Sequence, residues 1–168
     1  MDFSYIDKNV ADVRARMRRA QESAGRGEDE VLLLAAIKSA ETEEVRYLHN
    51  SLGINDVGEN RVQQLLERYD AIKSDDLNIH FIGKLQTNKV KYIIDKVYMI
   101  HSLDTLRLAA EIDKHAKKHG LKMKVLVEIN SGEEENKSGV LPQDVERFCE
   151  EIMKFDSIEL CEIGRAHV

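Results

Sequence analysis

Lys38 ends the apolar run Val31–Leu32–Leu33–Leu34–Ala35–Ala36–Ile37, and a primary amine held at such a position is a group that condenses with aldehydes. If the run is extended, alternation puts Val31, Leu33, Ala35 and Ile37 on one face and Leu32, Leu34, Ala36 and Lys38 on the other. A later run assigns the faces. Met123, Val125, Val127 and Ile129 form an apolar side suited to packing under helices, while the other side carries Glu128 and Asn130 near its end. Lys38 is therefore expected to point inward over small Ala36, among apolar walls that disfavour the ammonium form. The competing reading of the same position is a lysine that ends its strand and extends its amine to water.

Other polar groups fall at comparable places. His80, His101 and Ser102 stand at the ends of strand-like runs, where an imidazole can stack on a cofactor ring or hydrogen-bond to it. Either histidine can equally be structural, and no metal-ligand spacing joins them. Asn60 has two readings, a holder of a ligand oxygen or a cap for the helix that follows. Lys84, Lys89 and Lys91 form a small basic cluster that suits a phosphorylated ligand or plain solvation. Gly132 and Gly139 read as turn residues, and Glu133–Glu134–Glu135 as a solvated loop.

The elements that must position these groups alternate. Ile6, Val10, Val13 and Met17 mark an amphipathic helix, with Ser4 and Asp7 resembling a capping box and Gly25 and Gly27 as its stop. A strand at 31–37 follows, then a helix at 42–52, a strand at 54–58 and a helical face through Val62, Leu65, Leu66, Tyr69 and Ile72. Further strands are predicted at 78–83, 96–101 and 122–130. The helices between and after them begin at Thr87, at Asp104 and at Pro142, and a sixth strand begins at Ile158. Repeated strand–helix units predict a parallel α/β fold, either a doubly wound sheet or a (β/α)8 barrel, with function at the C-terminal ends of the strands. Lys38–Ser39–Ala40–Glu41 contains no glycine, which disfavours a nucleotide-binding fingerprint after the first strand.

Bulk properties narrow the classes. The chain has 168 residues, 42% of them apolar and 33% charged, which suits one globular domain. A net charge of −6 argues against nucleic acid or an anionic membrane as partner. Arg14, Arg16, Arg18 and Arg19 interleave with Asp12 and Glu22, as on a solvated helix face rather than a transit peptide. The longest apolar run is far short of the ~20 residues that span a bilayer. Cys149 and Cys161 form no framework and read as buried or partly buried thiols in a reducing, cytoplasmic setting.

Several segments occur together and in order: Leu33–Leu34–Ala35–Ala36–Ile37–Lys38, Gly58–Glu59–Asn60–Arg61–Val62–Gln63, His80–Phe81–Ile82–Gly83–Lys84–Leu85–Gln86–Thr87–Asn88–Lys89, Ile100–His101–Ser102–Leu103–Asp104 and Lys137–Ser138–Gly139–Val140. Over about residues 5–160 the chain resembles the pyridoxal phosphate homeostasis protein family, stand-alone relatives of the alanine racemase N-terminal barrel. That resemblance implies an α/β fold of TIM type with the internal aldimine of pyridoxal 5′-phosphate (PLP) on Lys38. Asn60, His80, His101 and Ser102 are then the further cofactor-binding candidates. It implies a cytoplasmic, monomeric, non-catalytic protein of vitamin B6 homeostasis that carries PLP and passes it to PLP-dependent apo-enzymes. No catalytic residue, metal, membrane or nucleic acid is expected. A PLP-dependent enzyme such as an amino-acid racemase is the alternative; it needs an opposing acid–base group.

Two departures from the family pattern stand out. Ala36–Ile37–Lys38–Ser39–Ala40–Glu41 replaces the commoner Val-Ser-Lys-Thr-Lys-Pro, keeping the lysine and a neighbouring hydroxyl. The chain also stops in its sixth strand, so an incomplete (β/α)8 barrel with about six of eight strands is expected. On that expectation residues 1–161 form one PLP-binding domain of a fragment, and the family's phosphate-binding groups lie mainly in the missing part. Glu162–Ile163–Gly164–Arg165–Ala166–His167–Val168 is expected to be a non-native tail resembling a translated sequencing adapter.

Overall fold

The computed structural model describes residues 2–26, 31–132 and 138–165; Gly27, Glu133–Glu134–Glu135 and Lys137 of the preceding readings lie outside them. Among the described residues six strands and six α-helices alternate: α1 (Ser4–Ser23), β1 (Ala35–Ala36), α2 (Thr42–Leu52), β2 (Asp56–Glu59), α3 (Val62–Ile72) and β3 (Asn78–Phe81). A 3-10 turn, Thr87–Lys89, then opens α4 (Val90–Ile93); a second such turn, Pro142–Asp144, comes later, after β5. β4 (Met99–Leu103), α5 (Leu106–Lys118), β5 (Met123–Ile129), α6 (Val145–Ile152) and β6 (Ile158–Arg165) complete the order. All strands are parallel and pair in chain order, from β1 at one edge to β6 at the other. This is the wall of a (β/α) barrel with six strands present, incomplete as expected.

One face of the sheet is covered. Ile37, Val57, Ile79, Phe81, Ile100 and Val125 point to the helices and are almost wholly buried there. Leu65, Ile72, Ile93, Leu108, Ile112 and Ile152 come down from the helical layer to meet them. Each such aliphatic side chain contributes about 1.5–3 kcal/mol by leaving water. The opposite phase of β5 carries half-buried Lys124, Leu126 and Glu128, so the sheet faces assigned from the sequence are those observed.

Helix α5 shows how the local sequence sets these elements. Leu108, Ala109, Ile112 and Ala116 make its buried stripe. Thr105 Oγ1 accepts from Leu108 N at 3.2 Å, His115, Lys117 and Lys118 occupy the last turn, and Gly120 follows at φ 65°. No helix among the described residues is long and apolar enough to cross a membrane.

Three local expectations are corrected. The seven-residue strand at 31–37 pairs only over Ala35–Ala36, and Val31 and Leu32 are exposed. β1 is an edge strand with one neighbour, so its pairing stops short of the start of the apolar run. The N-cap of α1 is Phe3, without a side-chain cap bond; Asp2 Oδ1, one residue earlier, accepts from Ser4 N at 2.9 Å, and Ser4 is the first helical residue, one position too late to cap. Cys161 is exposed on edge strand β6, whereas Cys149 is half-buried.

Candidate functional site

Register defines the inner wall of the sheet. Ala36 pairs with Gly58, Gly58 with His80, and His80 with Met99. Beyond the paired residues, Lys38, Asn60 and Ile82 follow the C-terminal ends of β1, β2 and β3, and His101 lies in β4 where its register to β5 shifts.

Lys38 lies in the turn directly after β1 and is exposed. Ile37, just before it, is fully buried against the helices. Apolar walls around Lys38 are not formed by the described residues, a correction to the enclosure expected from alternation; the inner face beside edge strand β1 is open. The backbone ahead of the lysine is held firmly. Ile37 N donates to Gly58 O at 2.9 Å, and Ile37 O accepts from Ala40 N at 3.0 Å and from Arg68 Nη1 at 2.9 Å. Arg68, on α3, also lies 3.8 Å from Glu59 Oε2, a carboxylate with no solvent exposure.

Glu59 uses its other oxygen to accept from Asn60 N at 2.7 Å and Arg61 N at 3.2 Å. Those amides lie just ahead of α3, whose N-cap is Arg61 without a side-chain cap bond, so Asn60 does not play the capping role considered for it. Asn60 Oδ1 is left buried without a partner. Gly83 fixes this corner: a Cβ there would stand 2.0 Å from Asn60 O. Ser102, only 3% exposed, likewise keeps a buried Oγ without a partner.

His80 is buried between two partners. Its Nε2 lies 2.9 Å from Asp56 Oδ1 and its Nδ1 lies 2.8 Å from Nε2 of His101. Asn78 Nδ2 donates to the same Asp56 oxygen at 3.1 Å. Burial pushes the His80 ring below the ordinary histidine value, and the Asp56 carboxylate pulls in the opposite direction. His101, half-buried, is the imidazole nearer the rim. The basic cluster divides: Lys84 and Lys89 join Arg61, Asn60, Gln86 and Tyr92 around a cleft of about 450 Å³ beside α3, while Lys91 instead lies 4.8 Å from the Tyr92 ring centre.

Of the residues singled out from sequence, His80 and His101 are in contact, Ser102 follows His101 in β4, and Lys38 and Asn60 follow the ends of β1 and β2. Asp56 and Arg68 were missed. Asp56 carried a usable signal, an acid two residues before Gly58 and so in the inner phase. Arg68 carried none, because its contact to β1 exists only once α3 packs. The donor set fits a polar aromatic aldehyde: an amine for the carbonyl, and an amide and a hydroxyl oxygen for ring substituents. Among the described residues no cluster of three or more His, Cys, Asp or Glu could hold a metal ion.

Comparison with known proteins agrees with this reading of the wall. The family model described as alanine racemase, N-terminal domain, matches residues 8–164. The pyridoxal phosphate homeostasis protein of Aquifex aeolicus is 44% identical over 153 residues, which cover 91% of this chain and 67% of that protein. A crystal structure of an unknown protein from Bifidobacterium adolescentis superposes with a TM-score of 0.91 at 31% identity, over 100% of this chain and 74% of that one. PipY of Synechococcus elongatus, in a structure with PLP bound, superposes with a TM-score of 0.70 at 22% identity, over 89% of this chain and 71% of that one. The chain thus spans about two-thirds of the length of the curated relative from Aquifex.

Proposed function

The chain belongs to the alanine racemase N-terminal domain family, and from that premise we propose that it binds PLP as an aldimine on Lys38 and serves intracellular PLP homeostasis. The observation that carries this reading is the exposed Lys38 in the turn that follows β1, at the same end of the sheet that carries Asn60 after β2 and His101 in β4. The bound aldehyde supplies an electrophilic carbon, and Lys38 keeps it from indiscriminate reaction with other amines. Asn60, with its buried Oδ1, and Ser102, with its Oγ, are read as ring-orienting groups, while the imidazoles of His101 and His80 flank the ring from β4 and β3. The protein so described is a non-catalytic, monomeric carrier in the cytoplasm that hands PLP to apo-enzymes. The names of its relatives support the homeostatic role.

Incubation of the protein with PLP, borohydride reduction and peptide mapping test the linkage. A pyridoxyl group on Lys38, lost in Lys38→Ala, is expected. Label on another residue, or an unchanged absorbance spectrum in Lys38→Ala, would defeat it. A racemase is the second reading, favoured by the family model itself. Substantial racemisation of an amino acid by the PLP-loaded protein would displace the carrier role.

A further inference from the structure

Arg61, Lys84 and Lys89 line one cleft of about 450 Å³ between the start of α3 and the loop that joins β3 to α4, and among the described residues no carboxylate lines it with them. We propose that this cleft binds a small phosphate monoester of a polyhydroxyl compound, its dianion held by Arg61, Lys89 and the first amides of α3. Of the groups read above as holding PLP only Asn60 reaches the cleft, so the proposal goes beyond that reading and does not depend on it.

Charge elsewhere on the chain is mostly answered locally. The net charge is −6, and Lys73, Lys96, Lys114 and Lys154 each lie within 3.3 Å of a nearby carboxylate. Arg61 and Lys89 differ. Both are exposed, and neither makes an ion pair among the described residues. Lys89 Nζ lies 5.7 Å from the ring centre of Tyr92, whose other cation, Lys91, stands outside the cleft. Lys84 is partly engaged: burial raises the carboxyl of Asp104 above its ordinary value, and Lys84 opposes that rise. Arg61 and Lys89 are thus the two cations left for an outside anion.

The backbone adds donors beside them. Helix α3 starts at Arg61 with no side-chain cap, and Leu65 N is the amide that bonds back to Arg61 O. The amides of Val62, Gln63 and Gln64 therefore lack an acceptor inside the helix. Glu59 serves only the two amides ahead of them, those of Asn60 and Arg61. Val62 and Gln63 line the cleft with the cations, so a fork, an ammonium and a helix start stand around one space. A phosphate offers three outer oxygens to such separate donors, where a carboxylate offers two. The space is larger than a bare phosphate fills. Exposed Gln86 offers an amide to hydroxyl groups, and Phe81 and Leu66 supply apolar lining for a carbon chain. Glu67, the acid one turn along α3, is held by Gln63 Nε2 at 2.9 Å.

Sorbitol 6-phosphate is the probe, because it has no carbonyl and forms no imine with Lys38. Titration calorimetry is expected to show saturable binding, and nitrogen-15 NMR to show shifts of the Val62 and Gln63 amides, both unchanged in Lys38→Ala. Arg61→Ala and Lys89→Ala should each weaken binding at least about tenfold. Lys91→Ala, which removes a cation beside the cleft but not in it, should weaken it by less than about twofold. Should either alanine variant fail to fold, Arg61→Gln and Lys89→Gln serve. Inorganic phosphate is expected to compete only at higher concentration, and succinate not to compete. The absence of saturable binding, equal losses in Lys89→Ala and Lys91→Ala, or loss in Lys38→Ala overturns the site. Affinity for inorganic phosphate or succinate equal to that of the probe overturns its assignment to a phosphate monoester. A missing borohydride label on Lys38 overturns the PLP reading and leaves this site standing.

Discussion

Arg68 reaches from α3 to the Ile37 carbonyl and to the buried Glu59 carboxylate, so one guanidinium joins the ends of β1 and β2. Removing one member of a buried pair leaves the other charge without compensation. Arg68→Met is expected to lower stability by about 3 kcal/mol, read as a fall in the urea midpoint, with Arg68→Lys recovering part of it. Equal midpoints for Met and wild type would show that Glu59 does not depend on this cation. His80 yields a pH prediction. Its folded value lies below the ordinary histidine value, so the unfolded chain binds a proton more readily. Its contribution favours folding above the ordinary value of about 6.5 and is lost as pH falls from there toward the lower folded value. His80→Gln is expected to flatten that acid limb of the urea midpoint; an unaltered slope would assign the limb to other groups. At this scale the sequence was informative where phase alone decided. His80 opposite Ile79 and Phe81 follows from alternation along β3. The Asp56–His80–His101 contacts depend on register between strands, which alternation within one strand does not encode.

Helices and central strands were legible because their apolar residues recur with the period of the element; 42–52 for α2 matches residue for residue. Edges were less so. The apolar content of 31–37 resembles a central strand, yet its pairing depends on neighbours on both sides and it has one. Loop corners were least legible, since Gly83 owes its identity to a backbone approach from another strand. Gly83→Ala would place a Cβ 2.0 Å from Asn60 O and 2.8 Å from its carbonyl carbon, main-chain atoms that cannot step aside singly. It is expected to cost about 1–3 kcal/mol and to shift the Asn60 amide resonance. Gly58→Ala first meets the side chain of Ile82, at 2.8 Å from its Cδ1, and should cost less because a methyl end can rotate. Reversal of that order in thermal unfolding would refute the assignment of the Gly83 corner as rigid.

Across the whole molecule the sheet is layered on one side and open on the other. The inner strands β3 and β4 have neighbours on both sides, whereas β1 pairs through two residues and on one side only. Local opening follows pairing and burial. Amide hydrogen exchange is expected to be slowest at Phe81, Ile100 and Val125 and markedly faster at Ala35 and Ala36; uniform protection across the sheet would contradict this ordering. Seen mechanically, β1 is a short cantilever. Its root, the run ahead of Ala35, is loosely supported, and its tip is pinned at Ile37 by a strut rising from α3. The stiffness felt at the Lys38 nitrogen is therefore set by that strut more than by the strand, and a load on the amine is borne first by the helix two units along the chain.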